Sequence, residues 1–161
     1  MAGLFTLHYN QLQQICTVSR LIETVQILIQ YIDMKYFTMS EMCKSTTAIL
    51  HHISNYPQQE EIFENIRTLV DKVLDPAREM IGEPIYVNSG YRSPQVNKMV
   101  GGVKNSQHMK GQAADVYCKN MTKLWNILKH LDFDQLIMYK NKNFYHVSYN
   151  EGHNRKQILY I

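Results

Sequence analysis

NSQHMKGQAADV, residues 105–116, sets a histidine and an aspartate seven positions apart, with one glycine and two alanines between them. His108 stands just before Gly111, and Asp115 lies at the start of an apolar run that reads as a buried strand. A carboxylate beside Ala113, Ala114 and Val116 is costly to bury unless something compensates its charge. A metal ion would do so, and the small residues would let the backbone close around it. A third ligand is available in FYHVSY, residues 144–149, where His146 sits in the middle of a strand pattern. By itself, a histidine between Tyr145 and Val147 reads as a packed core residue. Beside H-x-x-G-x-A-x-D it becomes a ligand candidate. Two imidazole nitrogens and one carboxylate oxygen, with a fourth position for water, form the set expected of catalytic zinc. Structural zinc favours four protein ligands rich in cysteine.

The elements on either side are legible from periodicity and breakers. PIYVNSGYRSP predicts a strand over residues 85–88, a turn at Ser89-Gly90, and a helix entered through Ser93 as N-cap and Pro94 as first residue, stopping at Gly101-Gly102. Upstream, Ile62, Ile66, Leu69, Val73, Ala77 and Met80 follow one face of a long helix over residues 58–81. Pro76 should kink or divide it, and Gly82 should cap it. MSEMCKST reads as a short helix opened by Ser40. Downstream, MTKLWNILKHL is a helix with Leu124, Ile127, Leu128 and Leu131 facing inward. DQLIMY, FYHVSY and KQILYI then form three successive strands, with turns at Asn141-Lys142 and around Gly152. Helices first and strands after them give an α+β class: a small antiparallel sheet with helices packed on one side.

With 161 residues, 45% of them hydrophobic, the chain is long enough for one domain with a core and too short for two ordinary ones. Residues 1–33 differ in character. Leu21, Ile22, Val25, Leu28, Ile29 and Ile32 predict an amphipathic helix over about residues 17–32, read either as a packing helix or as an appendage to a working domain that starts at Met34. That apolar run carries Glu23, is too short and polar to span a bilayer, and comes too late for a signal peptide. A net charge of +3 without a dense basic cluster argues against a nucleic-acid partner. Cys16, Cys43 and Cys118 are scattered with no CxxC, which suits free thiols in a reducing compartment. His130 ends a helix, where positive charge is favoured. His8, His51, His52 and His153 carry no partner pattern.

SGYRSPQVNKMVGGVKNSQHMKGQAADV, followed by FDQLI and HVSY, resembles the zinc D-alanyl-D-alanine peptidases of bacterial cell walls and their phages, which share the hedgehog/DD-peptidase fold. The likeness is greatest to the small phage-type, endolysin-like branch, and YFTMSEMCKSTTA and NIRTLVDKVLDPAREMIGEPI extend it over about residues 36–160. The resemblance implies zinc held by His108, Asp115 and His146. It implies that Arg92 faces the substrate carbonyl and the charge developing on it, and that Ser106 helps hold the terminal carboxylate of a peptidoglycan stem peptide. A preorganised guanidinium suits an oxyanion, and a metal suits the polarisation of a carbonyl.

One feature departs from the family pattern. The acidic general base normally stands three residues before the last histidine, and here that position is Asn143. An amide cannot accept and return a proton as a carboxylate does. Tyr139 also stands where close relatives carry a glutamate. Asp134, in the FDQLI motif, and Glu151, in a turn, are the substitutes within the sequence. The expectation is therefore a zinc metallopeptidase cutting a D-Ala-containing bond through a metal-activated water. The alternatives are a catalytically weakened zinc-bound domain that binds such peptides, and a peptidase of the same fold turned to another small peptide. Without a signal sequence the chain would be made in the cytoplasm, and action on the wall would need another route out.

Overall fold

The long helix is where the sequence pattern and the folded chain first part. In the computed structural model, which describes residues 34–161 and ahead of them Arg20 alone, α3 runs Glu60–Leu69 and α4 runs Asp75–Ile81. They are joined by a π-helical turn, Val70–Leu74, in which the Asp75 N–H donates to the Val70 carbonyl. Pro76 has no N–H and crowds the preceding turn, so the helix takes up one extra residue there and continues. The extra residue also rotates the buried face. Ile66, Leu69, Val73 and Ala77 are buried as expected, but beyond the π turn Ile81 is buried and Met80 is exposed. Gly82 ends α4 at φ 71°, the left-handed cap. The helix expected over residues 17–32 and the extension 1–33 lie outside the described residues, Arg20 apart; Met34–Ile161 forms one compact unit.

Two short helices precede α3: α1 (Met39–Met42) and α2 (Thr46–Leu50). Thr38, not Ser40, caps α1. Its side chain accepts from the Glu41 N–H, and the Glu41 carboxylate accepts from the Thr38 N–H at 2.8 Å, a reciprocal capping box. Ser45 caps α2. Further on, α5 (Pro94–Met99) begins on the Ser93 cap as predicted, and α6 (Met121–His130) buries Leu124, Trp125, Ile127 and Leu128.

Five strands make the sheet: β1 (Ile85–Ser89), β2 (Ala113–Cys118), β3 (Gln135–Met138), β4 (Tyr145–Ser148) and β5 (Gln157–Tyr160), in the order β1-β2-β4-β3-β5. The class is α+β, and the sheet is mixed: β1-β2, β2-β4 and β3-β4 are antiparallel, while β3-β5 is parallel. The strands come one after another in sequence without pairing strictly in that sequence. β4 inserts between β2 and β3, which brings His146 beside Asp115. Trp125 of α6 packs its ring 4.9 Å from Tyr145 and 5.6 Å from Tyr160, so α6 covers one face of the sheet. Because side chains alternate along a strand, His146 and Asp115 project from the opposite face. No helix among the described residues is long and apolar enough to cross a membrane.

Candidate metal centre

A single cross-strand row assembles the centre. Ser89 pairs with Asp115, Asp115 with His146, and His146 with Ile137, so β1, β2, β4 and β3 each contribute one residue at the same level. His108 comes from outside the sheet, on a 3-10 turn, Gln107–Lys110, whose N-cap is Ser106. Gly111 ends that turn at φ 72°, and a Cβ there would meet the Ile62 carbonyl at 2.6 Å. Both the left-handed conformation and the close approach to α3 thus require glycine, which explains its place in the motif.

His108 Nε2 lies 3.2 Å from His146 Nδ1, and Asp115 Oδ1 lies 2.9 Å from His146 Nδ1 and 3.3 Å from His108 Nε2. The three residues are buried, at 4%, 4% and 7% exposure. His108 Nδ1 is 2.7 Å from the Gly90 carbonyl, which can only accept, so Nδ1 carries the proton and Nε2 presents a lone pair. A lone pair, a second imidazole nitrogen and a carboxylate oxygen converge with at most one proton to share among them. That donor set calls for a cation. Tetrahedral zinc with bonds near 2.0–2.1 Å needs donors about 3.3 Å apart, which the three separations approach. Among the described residues this is the group of histidine, cysteine and acidic side chains arranged to hold a metal ion.

The protonation states suit ligation. Burial, the largest influence, pulls His108 below its ordinary range, partly opposed by Asp115, so the imidazole is neutral near pH 7. Burial pushes the Asp115 carboxyl upward, but the His108 and His146 imidazoles beside it outweigh that and leave it below the usual range. Asp115 is therefore an ionised ligand.

Arg92 completes the centre. Its Nη2 donates to Asp115 Oδ2 at 2.7 Å and its Nε to Ser89 Oγ at 2.8 Å, so both the ligand carboxylate and the guanidinium are fixed. The loop that carries Arg92 is fastened by Asn55, a loop residue with no sequence signal for this role. Asn55 donates to the carbonyls of Cys43 and Tyr91 and accepts from the Ser93 N–H. Gly90 is held just as closely, since a Cβ there would collide with the Met42 carbonyl. Ser89, expected in a turn with Gly90, ends β1 instead, because it pairs with Asp115 across the sheet; the bonds of these two residues to Arg92 and His108 had no sequence signal.

The cluster opens into a cleft of about 730 Å³, whose lining includes Val100, Val103, Ser106, Ile137, Tyr139 and Lys142. Ser106 lines the cleft, its Oγ accepting from the His108 N–H at 3.3 Å. Asp134 also reaches the cleft, but with both oxygens engaged. Arg155 donates to Oδ1 from Nε at 2.7 Å and from its backbone N–H at 3.0 Å, and to Oδ2 from Nη2 at 2.6 Å; Gln107 adds a bond to Oδ2 at 2.8 Å. The Arg155 bonds hold the Asp134 carboxyl down to about 2, which makes it a poor proton acceptor near neutral pH. Asn143 is exposed in the β3–β4 connection, and the residues of that connection that line the cleft are Tyr139 and Lys142. Glu151 is exposed in a turn. Arg155 carried no sequence signal as a partner, being a loop residue 21 positions from Asp134.

The sequence pattern described as Peptidase M15 matches residues 35–148, well over half of the chain and inclusive of all three ligand candidates. The chain belongs to the peptidase M15 family. A stretch of 44 residues is 50% identical to the zinc D-Ala-D-Ala carboxypeptidase of Streptomyces albus G, covering 27% of this chain and 17% of that relative. The His108, Asp115 and His146 donors of this M15 chain form a set that fits a zinc ion.

Proposed function

We propose that the chain is a zinc-dependent peptidase that hydrolyses a D-Ala-containing bond of bacterial peptidoglycan stem peptides, with His108, Asp115 and His146 as the metal ligands and Arg92 and Ser106 facing the substrate. The observation that carries this is the convergence of three lone-pair donors beside an arginine already clamped to one of them, in a cleft of an M15 chain. When bound, zinc supplies Lewis acidity at a carbonyl oxygen and lowers the pKa of water. Arg92 spends two of its N–H groups on Ser89 and Asp115, and the rest are free to meet a substrate oxygen without reorganisation. Ser106 uses its oxygen to accept from His108, which leaves its O–H to donate to a substrate carboxylate.

A second reading follows from the cleft's carboxylates. Among the described residues lining it, these are Asp115, a ligand, and Asp134, saturated by Arg155 and Gln107. With Asn143 at the position the resemblance gives to the base, the same centre suits a domain that binds stem peptides and turns them over slowly. One experiment separates the readings. The zinc-loaded chain is incubated with a D-Ala-D-Ala-terminated stem peptide, and free D-alanine and bound peptide are both measured. Release that a chelator abolishes and zinc restores supports the peptidase. Zinc-dependent binding without release supports the binding domain, and the absence of both release and binding overturns both readings.

A further inference from the structure

We propose that Tyr139 is a catalytic hydrogen-bond donor, its phenol O–H facing Arg92 across the metal centre and binding the oxygen that gains negative charge when the scissile carbonyl is attacked. This rests on the peptidase reading above. The sheet sets the geometry. Ile137 pairs with His146 in the same row as Asp115, and Tyr139 follows two positions later, so strand alternation puts it on the ligand face. Both Ile137 and Tyr139 line the cleft. Arg92 is tethered to Ser89 on β1 and Asp115 on β2, while Tyr139 extends from β3. The ligands on β2 and β4 therefore lie between two donors that enter from opposite sides.

The ring is held in place. The Phe144 ring meets it edge-on, with centroids 5.7 Å apart at 64°, and Lys142 Nζ stands 4.2 Å from its centroid. A donor fixed before the reaction needs no reorganisation as charge develops. Burial, and after it the Asp115 charge, push the Tyr139 phenol above its ordinary range, so it keeps its proton near neutral pH and serves as a donor, not a base. No proton leaves it in the proposed role; it gives a hydrogen bond only.

The test is Tyr139→Phe, which keeps the ring and its contacts and removes the hydroxyl. Zinc content and melting temperature should not change. With a D-Ala-D-Ala peptide, kcat should fall about a hundredfold, the usual effect of losing one oxyanion donor, while KM stays within about twofold. Binding is measured in parallel by calorimetry, using a phosphinate dipeptide analogue whose tetrahedral anion imitates the attacked carbonyl, and a ground-state peptide. The variant should lose affinity for the phosphinate alone. Equal loss for both ligands, no loss for either, or a wild type that binds no phosphinate overturns the proposal. If the wild type releases no D-alanine, the hydrolytic reading fails, and the phosphinate comparison still decides Tyr139. If release occurs and Tyr139→Phe matches the wild type, the hydrolytic reading stands and Tyr139 fails.

Discussion

Two carboxylates line one cleft, each nearly buried and each paired with an arginine, yet they do opposite things. Asp115 gives one oxygen to Arg92 and turns the other toward two imidazoles. Asp134 gives both oxygens to N–H donors, from Arg155 three times and from Gln107 once. Burial and charge pairing alone do not distinguish a ligand from a brace. The difference lies in what faces the second oxygen: lone-pair donors, which call for a cation, or N–H groups, which already satisfy it. Asp134 is thus a clasp between the β5 approach and the 3-10 turn that carries His108.

The largest effect should come from Asp115→Asn, which halves the ligand's charge-bearing oxygens and leaves an amide among imidazoles. Zinc measured by atomic absorption should fall from one per chain to a small fraction, with activity down at least about a thousandfold, a combined loss of metal and of electrostatic stabilisation. Full zinc retention would break the comparison at its ligand end.

Arg92→Lys should come next. The ammonium keeps the charge but cannot bridge Ser89 and Asp115 at once. Zinc should be retained while kcat drops about tenfold to a hundredfold; an unchanged rate would remove Arg92 from the reacting centre.

Asp134→Asn tests the brace. Its carboxyl sits near 2 in the folded chain against about 4 in an unfolded one, so the clasp contributes roughly 2 kcal/mol. Because the folded value is the lower, this stability is fully present above about pH 4 and is lost as pH falls toward 2. Denaturant titrations of wild type and variant should differ by about that amount at pH 7 and converge near pH 2, with zinc content unchanged. A loss of zinc in this variant would join the two carboxylates into one functional unit.

The smallest effect is expected for Asn143→Glu. The residue is exposed and apart from the cleft wall, so D-alanine release should change less than about threefold. A general base normally contributes about a hundredfold or more; a rise of that size would put the missing acid at this position.

Local rules carried much of the chain. The Ser93 cap, the left-handed Gly82, the buried AADVYC strand and the ligand spacing of His108 and Asp115 depend on neighbours within a few residues, and the sequence by itself determined them. It also determined the class of chemistry, because two imidazoles and a carboxylate at that spacing suit few ions. Other features needed the folded chain. The π turn before Pro76, which moved burial from Met80 to Ile81, depends on how a helix absorbs a lost hydrogen bond against a packed face. The sheet order, with β4 between β2 and β3, set His146 against Asp115 across 31 positions of chain. The Asn55 and Ser89 hydrogen bonds that fix Arg92, and the Arg155 bonds that saturate Asp134, join loops whose local sequences contain no trace of one another. A side chain's partners across the fold decide whether it is a ligand, a donor or a brace, and only the tertiary structure brings those partners within reach.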